Sequence, residues 1–168
     1  PTKGDISIDN VTFAYQDKNI LEDVQIKIPS KSRVALVGTS GGGKSTLVKL
    51  LLRFYDPKEG NITLDHHPIK DLSLTDLRNQ IAYVSQDAII FPGTVSENIA
   101  FGSHHHQEKI ERAAQMSSLH NFIIEDLEEG YETQLGERGQ KLSGGQRQRL
   151  SIARAIYRDS PVVIFDEA

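Results

Sequence analysis

The chain has 168 residues, of which 38% are hydrophobic and 25% are charged, a composition typical of a folded domain rather than of a disordered segment. It contains no cysteine, so a disulfide framework and thiolate metal sites are excluded. The formal net charge of −4 disfavours a non-specific nucleic-acid-binding surface. No apolar run approaches the roughly 18 residues that a membrane span requires.

The first third of the chain has the pattern of several strands, a glycine-rich loop and a helix. Side-chain type alternates over Ile6–Ile8, Val11–Tyr15 and Val24–Ile28, which predicts half-buried antiparallel strands. Arg33–Val37 ends in four consecutive apolar residues, which predicts a strand buried on both faces, as in a parallel sheet covered by helices. Leucines at helical spacing predict a helix over Ser45–Arg53.

The middle of the chain continues with short strands and then becomes helical. Gly60–Asp65 and Ile81–Val84 have strand character, the second one buried. Residues 95–127 are amphipathic with a helical period, and Thr94 with Glu97 fits a capping box at the start of this region.

The last part of the chain predicts one helix followed by one strand. Ser143 with Gln146 is a second candidate capping box and opens a helix through Tyr157. Val162–Phe165 is a continuous apolar strand that ends in two carboxylates. The order of elements predicts an α/β core with a β-rich edge and a helical insertion.

A glycine-rich loop between the predicted strand and the first helix matches the pattern G-x-x-x-x-G-K-[ST]. The loop consists of Gly38, Thr39, Ser40, Gly41, Gly42, Gly43, Lys44 and Ser45, and is followed by Thr46. Glycines let backbone N–H groups converge on a polyphosphate, Lys44 supplies a cation for the β- and γ-phosphates, and the Ser45 hydroxyl can ligate Mg²⁺. A flexible glycine linker is the alternative, but linkers need no strand before them and no helix after them.

Asp166 and Glu167 close the last predicted strand, which its continuous apolar run predicts to be buried. Because neighbouring strand side chains point in opposite directions, one carboxylate can hold a metal while the other faces the γ-phosphate and an attacking water. A solvated turn is the alternative for such a pair.

Leu142–Gln146 combines a hydroxyl, two glycine N–H groups and an amide at a helix N-terminus, which predicts a second anion site. A chain with one nucleotide loop and two such surfaces suggests that the second surface serves another subunit. An ordinary glycine-containing helix cap is the alternative.

These motifs, in this order, resemble the nucleotide-binding domain of ATP-binding cassette (ABC) transporters over essentially the whole chain. The resemblance implies an α/β fold, with a RecA-like P-loop NTPase parallel core, an antiparallel β subdomain and a helical signature subdomain. It implies a single domain over 1–168, with the β-rich edge and P-loop core at about 1–85, the helical subdomain at about 86–158 and the Walker B strand at 162–167.

The resemblance also assigns the cofactors ATP and Mg²⁺ and a role to each site residue. Tyr15 would stack on adenine, although a core aromatic at a strand edge is the alternative. Gly38–Thr46 is the Walker A loop, Gln86 belongs to the Q-loop and Asp166 ends Walker B. The signature is formed by Ser143, Gly144, Gly145 and Gln146. The implied catalytic residues are Glu167, Lys44 and Gln86. The implied metal-site residues are Ser45, Gln86 and Asp166.

Two segments narrow the resemblance to exporters: Thr133–Gly139 is similar to the x-loop, and Phe91–Ile99 to exporter sequence after the Q-loop. Bacterial half-transporters of lipids or hydrophobic drugs are the most similar group. This similarity implies a head-to-tail dimer with a second nucleotide-binding domain, identical or different. It also implies contact with the coupling helices of a membrane domain that precedes Pro1. The expected location is the cytoplasmic face of the inner membrane. Nucleic acid is not an expected partner. A soluble cassette ATPase acting on DNA or ribosomes, and a regulatory module without turnover, are the alternatives.

The family continues past Walker B with a loop that touches the partner and a strand that leads to a switch histidine. Neither lies in these 168 residues. We therefore expect this polypeptide alone to be poorly stable and nearly inactive, because a missing strand leaves backbone groups unpaired in the core.

Three polar segments depart from the motifs. His66-His67-Pro68 occupies a turn where the family often has glycine. His104–His106 is expected to be a solvated loop rather than a metal site. A structural or signature-supporting role, rather than a nucleic-acid stripe, is expected for Arg147, Arg149, Arg154 and Arg158.

Overall fold

The structure, a computed structural model, describes residues 3–39, 41–136 and 142–166. Its strands are β1 (Ile6–Phe13), β2 (Leu21–Ile28), β3 (Glu59–Leu64), β4 (His67–Pro68), β5 (Ile81–Val84) and β6 (Val162–Phe165). Its helices are α1 (Lys44–Leu51), α2 (Leu74–Asn79), α3 (Val95–Ile99), α4 (Gln107–Met116), α5 (His120–Asp126) and α6 (Gly144–Arg158), with 3₁₀ turns at Ile69–Asp71 and Gly130–Glu132. The chain forms two compact units, divided between Ile81 and Ala82.

The first unit contains an antiparallel sheet in the order β2-β1-β3-β4. Ile8 at its centre pairs with Ile26 of β2 on one side and with Ile62 of β3 on the other. Ile8 is fully buried, because the alternating side chains of β1 place one set of apolar residues on the core face. The predicted half-buried antiparallel strands are confirmed.

The turn between β3 and β4 consists of Asp65 and His66, which both have positive φ angles, of 48° and 68°. The flanking residues Leu64 and His67 pair with each other, as expected for a two-residue hairpin turn with both central residues in the left-handed region. The Asp65 carboxylate accepts hydrogen bonds from the backbone N–H groups of Lys3, Gly4 and Asp5, which ties this turn to the chain before β1.

The C-terminal end of α1 is held by two arginines of the first unit. The Arg78 guanidinium donates to the carbonyl oxygen of Leu52 over 3.2 Å. The Arg53 side chain donates to the carbonyl oxygens of Ile69 and Leu72, at 3.2 and 2.7 Å. The Arg78 bond satisfies the carbonyl of the C-cap residue of α1, and the Arg53 bonds tie the end of this helix to the 3₁₀ turn at Ile69–Asp71.

The second unit packs its helices around one apolar cluster. Ile99 of α3, Ile110 of α4, Ile123 of α5 and Leu150 of α6 are all fully buried in it. Thr94 caps α3 with the predicted capping box, and Ser143 caps α6 in the same way. No helix in the described ranges combines the length and the apolar character that a membrane span requires.

Two predictions about the core strands are wrong. Arg33–Val37 is not a strand, because no described strand pairs with this segment, and Val37 is 89% exposed. β6 has the predicted bounds and pairs with β5, but Val163 and Phe165 are exposed, at 44% and 56%. A strand in a two-stranded sheet is covered on both faces only where other elements pack on it.

Candidate nucleotide-binding site

The glycine-rich loop leads directly into α1, as its sequence pattern predicts. Gly43 is the N-cap residue, with a φ of 84° in the left-handed region. A Cβ at this position would lie 2.6 Å from Cδ2 of Leu21 and 3.3 Å from the carbonyl oxygen of Ile20. Glycine is therefore required here both by the backbone conformation and by the close approach of β2.

Lys44 folds back over the loop that precedes it. Its Nζ donates to the carbonyl oxygens of Gly38 and Thr39, each over 2.8 Å. The Ser45 hydroxyl group belongs to an exposed residue in the first turn of α1, whereas Thr46 is buried. The loop thus brings a cation, the hydroxyl of an exposed serine and the first N–H groups of a helix into one short segment, which is the chemistry that binds a polyphosphate.

Tyr15 lies just beyond β1 and is 43% exposed. Its hydroxyl oxygen is 3.4 Å from Oγ1 of Thr46, and the Lys49 ammonium lies 5.6 Å from the centre of its ring. The ring therefore adjoins α1 within one turn of the phosphate loop and is not enclosed in the core. The structure disfavours the alternative that Tyr15 is a core aromatic.

The signature residues open α6 in the second unit. The Gln146 N–H donates to Oγ of Ser143 over 3.2 Å, and Oε1 of Gln146 accepts from the Ser143 N–H over 2.7 Å. Arg147 donates to the carbonyl oxygen of Leu142, which holds the residue before the cap. A Cβ added to Gly145 would have no described heavy atom within 4 Å beyond the adjoining backbone. A Cβ added to Gly144 would lie 3.8 Å from the end of the Arg147 side chain. Gly144 and Gly145 thus leave an open backbone surface at a helix N-terminus.

Asp166 follows β6, and its side chain is positioned by the neighbouring strand. The Tyr83 hydroxyl of β5 donates to Oδ2 of Asp166 over 2.8 Å, and the Asp166 N–H donates to the carbonyl oxygen of Val84. Burial, together with the hydrogen bond to Asp166 and its charge, raises the pKa of Tyr83 to about 12, so the phenol remains a donor at neutral pH. Gln86, two residues after β5, is exposed.

The chain offers the oxygen donors that Mg²⁺ prefers. The Ser45 hydroxyl is exposed, the Gln86 side chain carries an amide oxygen, and the Asp166 carboxylate has Oδ1 in addition to the oxygen that accepts from Tyr83. Each of these oxygens is of a type that Mg²⁺ accepts as a ligand.

The predicted site residues are divided between the two units. Tyr15, Gly38, Thr39 and Gly41 to Thr46 belong to the first unit, and Gln86, Ser143 to Gln146 and Asp166 belong to the second. Ser40, Glu167 and residues 137–139 of the x-loop lie outside the described residues.

Sequence reasoning missed two residues that contact the predicted site residues. Tyr83 bonds Asp166, and Tyr55 packs edge-on against Tyr15 with ring centres 5.1 Å apart. Tyr83 is the only exposed residue of β5, and a polar aromatic in an otherwise apolar strand is the signal that identifies it. Tyr55 had no local signal, because its contact joins residues that are far apart in the sequence.

Comparison with known proteins agrees with this geometry. A family model described as ABC transporter matches residues 21–168. An ATP-dependent lipid A-core flippase of Cupriavidus pinatubonensis is 49% identical over 99% of this chain and 29% of its own length. A putative multidrug export ATP-binding/permease protein of Staphylococcus aureus is 50% identical over 99% of this chain and 29% of its own length.

A solved structure titled as a bacterial Atm1-family ABC exporter with ATP bound superposes with a TM-score of 0.91 and 42% identity, covering 98% of this chain and 29% of that one. The predicted fold class is thereby confirmed. The chain spans about 29% of the length of these curated relatives, so it corresponds to one part of them. On the family match and these similarities, the chain belongs to the ABC transporter family.

Proposed function

We propose that this chain binds and hydrolyses ATP and thereby powers the export of a lipid or another hydrophobic compound by a membrane transporter. The observation that carries the proposal is the loop before α1, where Gly43 in the left-handed region and Lys44 over the loop carbonyls form a polyphosphate cradle. The names of the relatives supply the substrate class, since they include lipid flippases and multidrug exporters.

In this proposal each described residue has a definite task. Lys44 exchanges its carbonyl partners for the β- and γ-phosphate oxygens, and Tyr15 stacks on the adenine ring. Ser45, Gln86 and Asp166 hold Mg²⁺, which when bound supplies positive charge beside the phosphates. Tyr83 keeps the Asp166 carboxylate in one orientation through its hydrogen bond. Glu167, which follows Asp166 in the sequence, positions or deprotonates the attacking water.

The open backbone at Gly144 and Gly145 serves the nucleotide of a second nucleotide-binding domain in a head-to-tail dimer. ATP then binds the closed dimer in preference to the open one, and hydrolysis removes that preference. The partner in the membrane is a coupling helix of the transporter, and the chain works at the cytoplasmic face of the membrane. The exporter names of the relatives favour this function over a soluble ATPase acting on DNA or ribosomes.

A complementation experiment tests both ATP hydrolysis and the head-to-tail arrangement. We would express the complete polypeptide that carries this chain as Lys44→Ala, as Gly145→Asp and as a mixture of the two. Each variant alone lacks every competent site, whereas a mixed dimer retains one intact loop facing one intact signature. ATPase activity above that of either variant alone supports the proposal, with wild type as the reference. A mixture as inactive as its components contradicts the shared site, and an inactive wild type contradicts the ATPase function.

A further inference from the structure

We propose that Tyr55 is a positioning residue that holds the Tyr15 ring in the orientation that stacks on the nucleotide base. The inference rests on the proposed function, because it gives Tyr15 a base to stack on. It assigns a role to a residue outside the recognised motifs, in the segment between α1 and β3.

The geometric basis is a cluster of three aromatic rings. The rings of Tyr15 and Tyr55 meet edge to face, with centres 5.1 Å apart and an angle of 82° between their planes. Phe13 meets Tyr15 in the same way, at 5.0 Å and 87°, and lies 5.7 Å from Tyr55. Edge-to-face pairs at these separations are the favoured aromatic arrangement.

The Tyr15 ring is restrained by contacts from several neighbouring side chains. Phe13 is buried in the core of the sheet, so it provides a rigid contact on one side. The Lys49 ammonium lies over the ring at 5.6 Å, and the hydroxyl is 3.4 Å from Oγ1 of Thr46. Tyr55 supplies the remaining aromatic contact to a side chain that is 43% exposed and would otherwise have few neighbours.

The backbone around Tyr55 is itself held in place. The Phe54 N–H donates to the carbonyl oxygen of Lys49 over 2.9 Å, at the end of α1. The Lys58 N–H donates to the carbonyl oxygen of Thr12 in β1, also over 2.9 Å, and its ammonium donates to the carbonyl oxygen of Gln16. Tyr55 thus lies on a segment anchored on both sides, between the helix that follows the phosphate loop and the strand that leads to Tyr15.

A ring that is already oriented loses less conformational freedom when a base stacks on it, so its pre-ordering contributes to affinity. This contribution concerns only the base, because the ring contacts of Tyr55 are to Phe13 and Tyr15, and no hydrogen bond among the described residues joins it to the glycine-rich loop or to Lys44. Removing Tyr55 should therefore weaken binding of a nucleotide and leave binding of a bare polyphosphate unchanged.

The experiment measures dissociation constants of the complete polypeptide for a non-hydrolysable ATP analogue and for inorganic tripolyphosphate. Tyr55→Ala should raise the Kd for the analogue about three- to tenfold, the range expected from the loss of one aromatic pair. Its Kd for tripolyphosphate should stay within about twofold of wild type. Tyr55→Phe keeps the ring and should restore analogue binding.

Two further variants separate positioning from a general structural effect. Phe54→Ala is the matched control, since Phe54 is an adjacent exposed aromatic whose ring faces Arg78 rather than Tyr15. It should not reproduce the selective loss. In a Tyr15→Ala background, Tyr55→Ala should have no further effect on the analogue, because the ring that it positions is gone.

Three results would overturn the inference: analogue affinity unchanged in Tyr55→Ala, a parallel loss of tripolyphosphate affinity, or an undiminished effect in the Tyr15→Ala background. Each leaves the proposed function standing as long as wild type binds the analogue. A wild-type protein that binds neither ligand would overturn the proposed function together with this inference.

Discussion

Replacing Gly43 by alanine tests whether the phosphate loop depends on its tight approach to β2. The residue has a φ of 84°, and an added Cβ would lie 2.6 Å from Cδ2 of Leu21. That carbon is the end of a side chain, but Leu21 is buried, so it has little room to withdraw. The second neighbour, the carbonyl oxygen of Ile20 at 3.3 Å, belongs to the backbone and yields less readily.

The expected cost has two parts. Holding alanine in the left-handed region costs about 1–2 kcal/mol. Displacing the buried Leu21 side chain adds about 1–2 kcal/mol, at the lower end of the cost of overpacking a core. We therefore expect Gly43→Ala to lower the free energy of unfolding by about 2–4 kcal/mol.

Urea denaturation, monitored by circular dichroism, measures this change, and Gly38→Ala is the matched control in the same loop. A Cβ on Gly38 would meet no atom within 4 Å, and its φ is not positive, so its free energy of unfolding should change by less than about 0.5 kcal/mol. Equal stability of the two variants, or a loss below about 1 kcal/mol for Gly43→Ala, would refute the reasoning.

Three further predictions concern the folding of the two units. His66→Gly should raise the free energy of unfolding by about 0.5–1 kcal/mol, because φ is 68° at His66 and glycine adopts this conformation without strain; a lower melting temperature would contradict this. Burial alone would raise the pKa of Asp65, but three backbone N–H donors and the charge of His66 outweigh it, so the pKa is lowered. Asp65 therefore stabilises the fold above the pKa of an unfolded aspartate. This stability is lost as the pH falls through the lower folded-state pKa. Urea denaturation between pH 6 and pH 3 should show a shallower loss in Asp65→Asn than in wild type, and equal slopes would exclude the effect. Arg154→Ala should lower the melting temperature far more than Arg149→Ala. The reason is that Arg154 donates to Asn98 and Ile89, whereas Arg149 makes one 3.4 Å bond to the Ser118 carbonyl. Similar shifts in both variants would show that these bonds contribute little.

Arg154 also shows how far the sequence could assign the arginines of α6. The helical pattern favoured structural roles, and Arg154 does pack over the rings of Phe91 and Phe101, which stack with centres 3.9 Å apart. Burial lowers the pKa of Arg154 to about 10, because a charged guanidinium group loses hydration when it is buried. No local pattern gives the identity of these partners, because they come from segments more than 50 residues away.

The sequence by itself determined the features that depend on short stretches of chain. The glycine-rich loop and the capping boxes at Thr94 and Ser143 follow from residue type and spacing, since their hydrogen bonds join residues that are close in sequence. The same holds for the motif order that identified the family.

Only the tertiary structure decided the features that need a distant partner. Arg33–Val37 is apolar enough for a buried strand, yet it forms no strand and is exposed, because a strand exists only where another strand supplies its hydrogen bonds. Tyr83 beside Asp166 and Tyr55 against Tyr15 are likewise set by the way separate segments pack. The physical reason is common to these cases: a residue's own type fixes what it can bond, and the packing of the fold fixes which partner it meets.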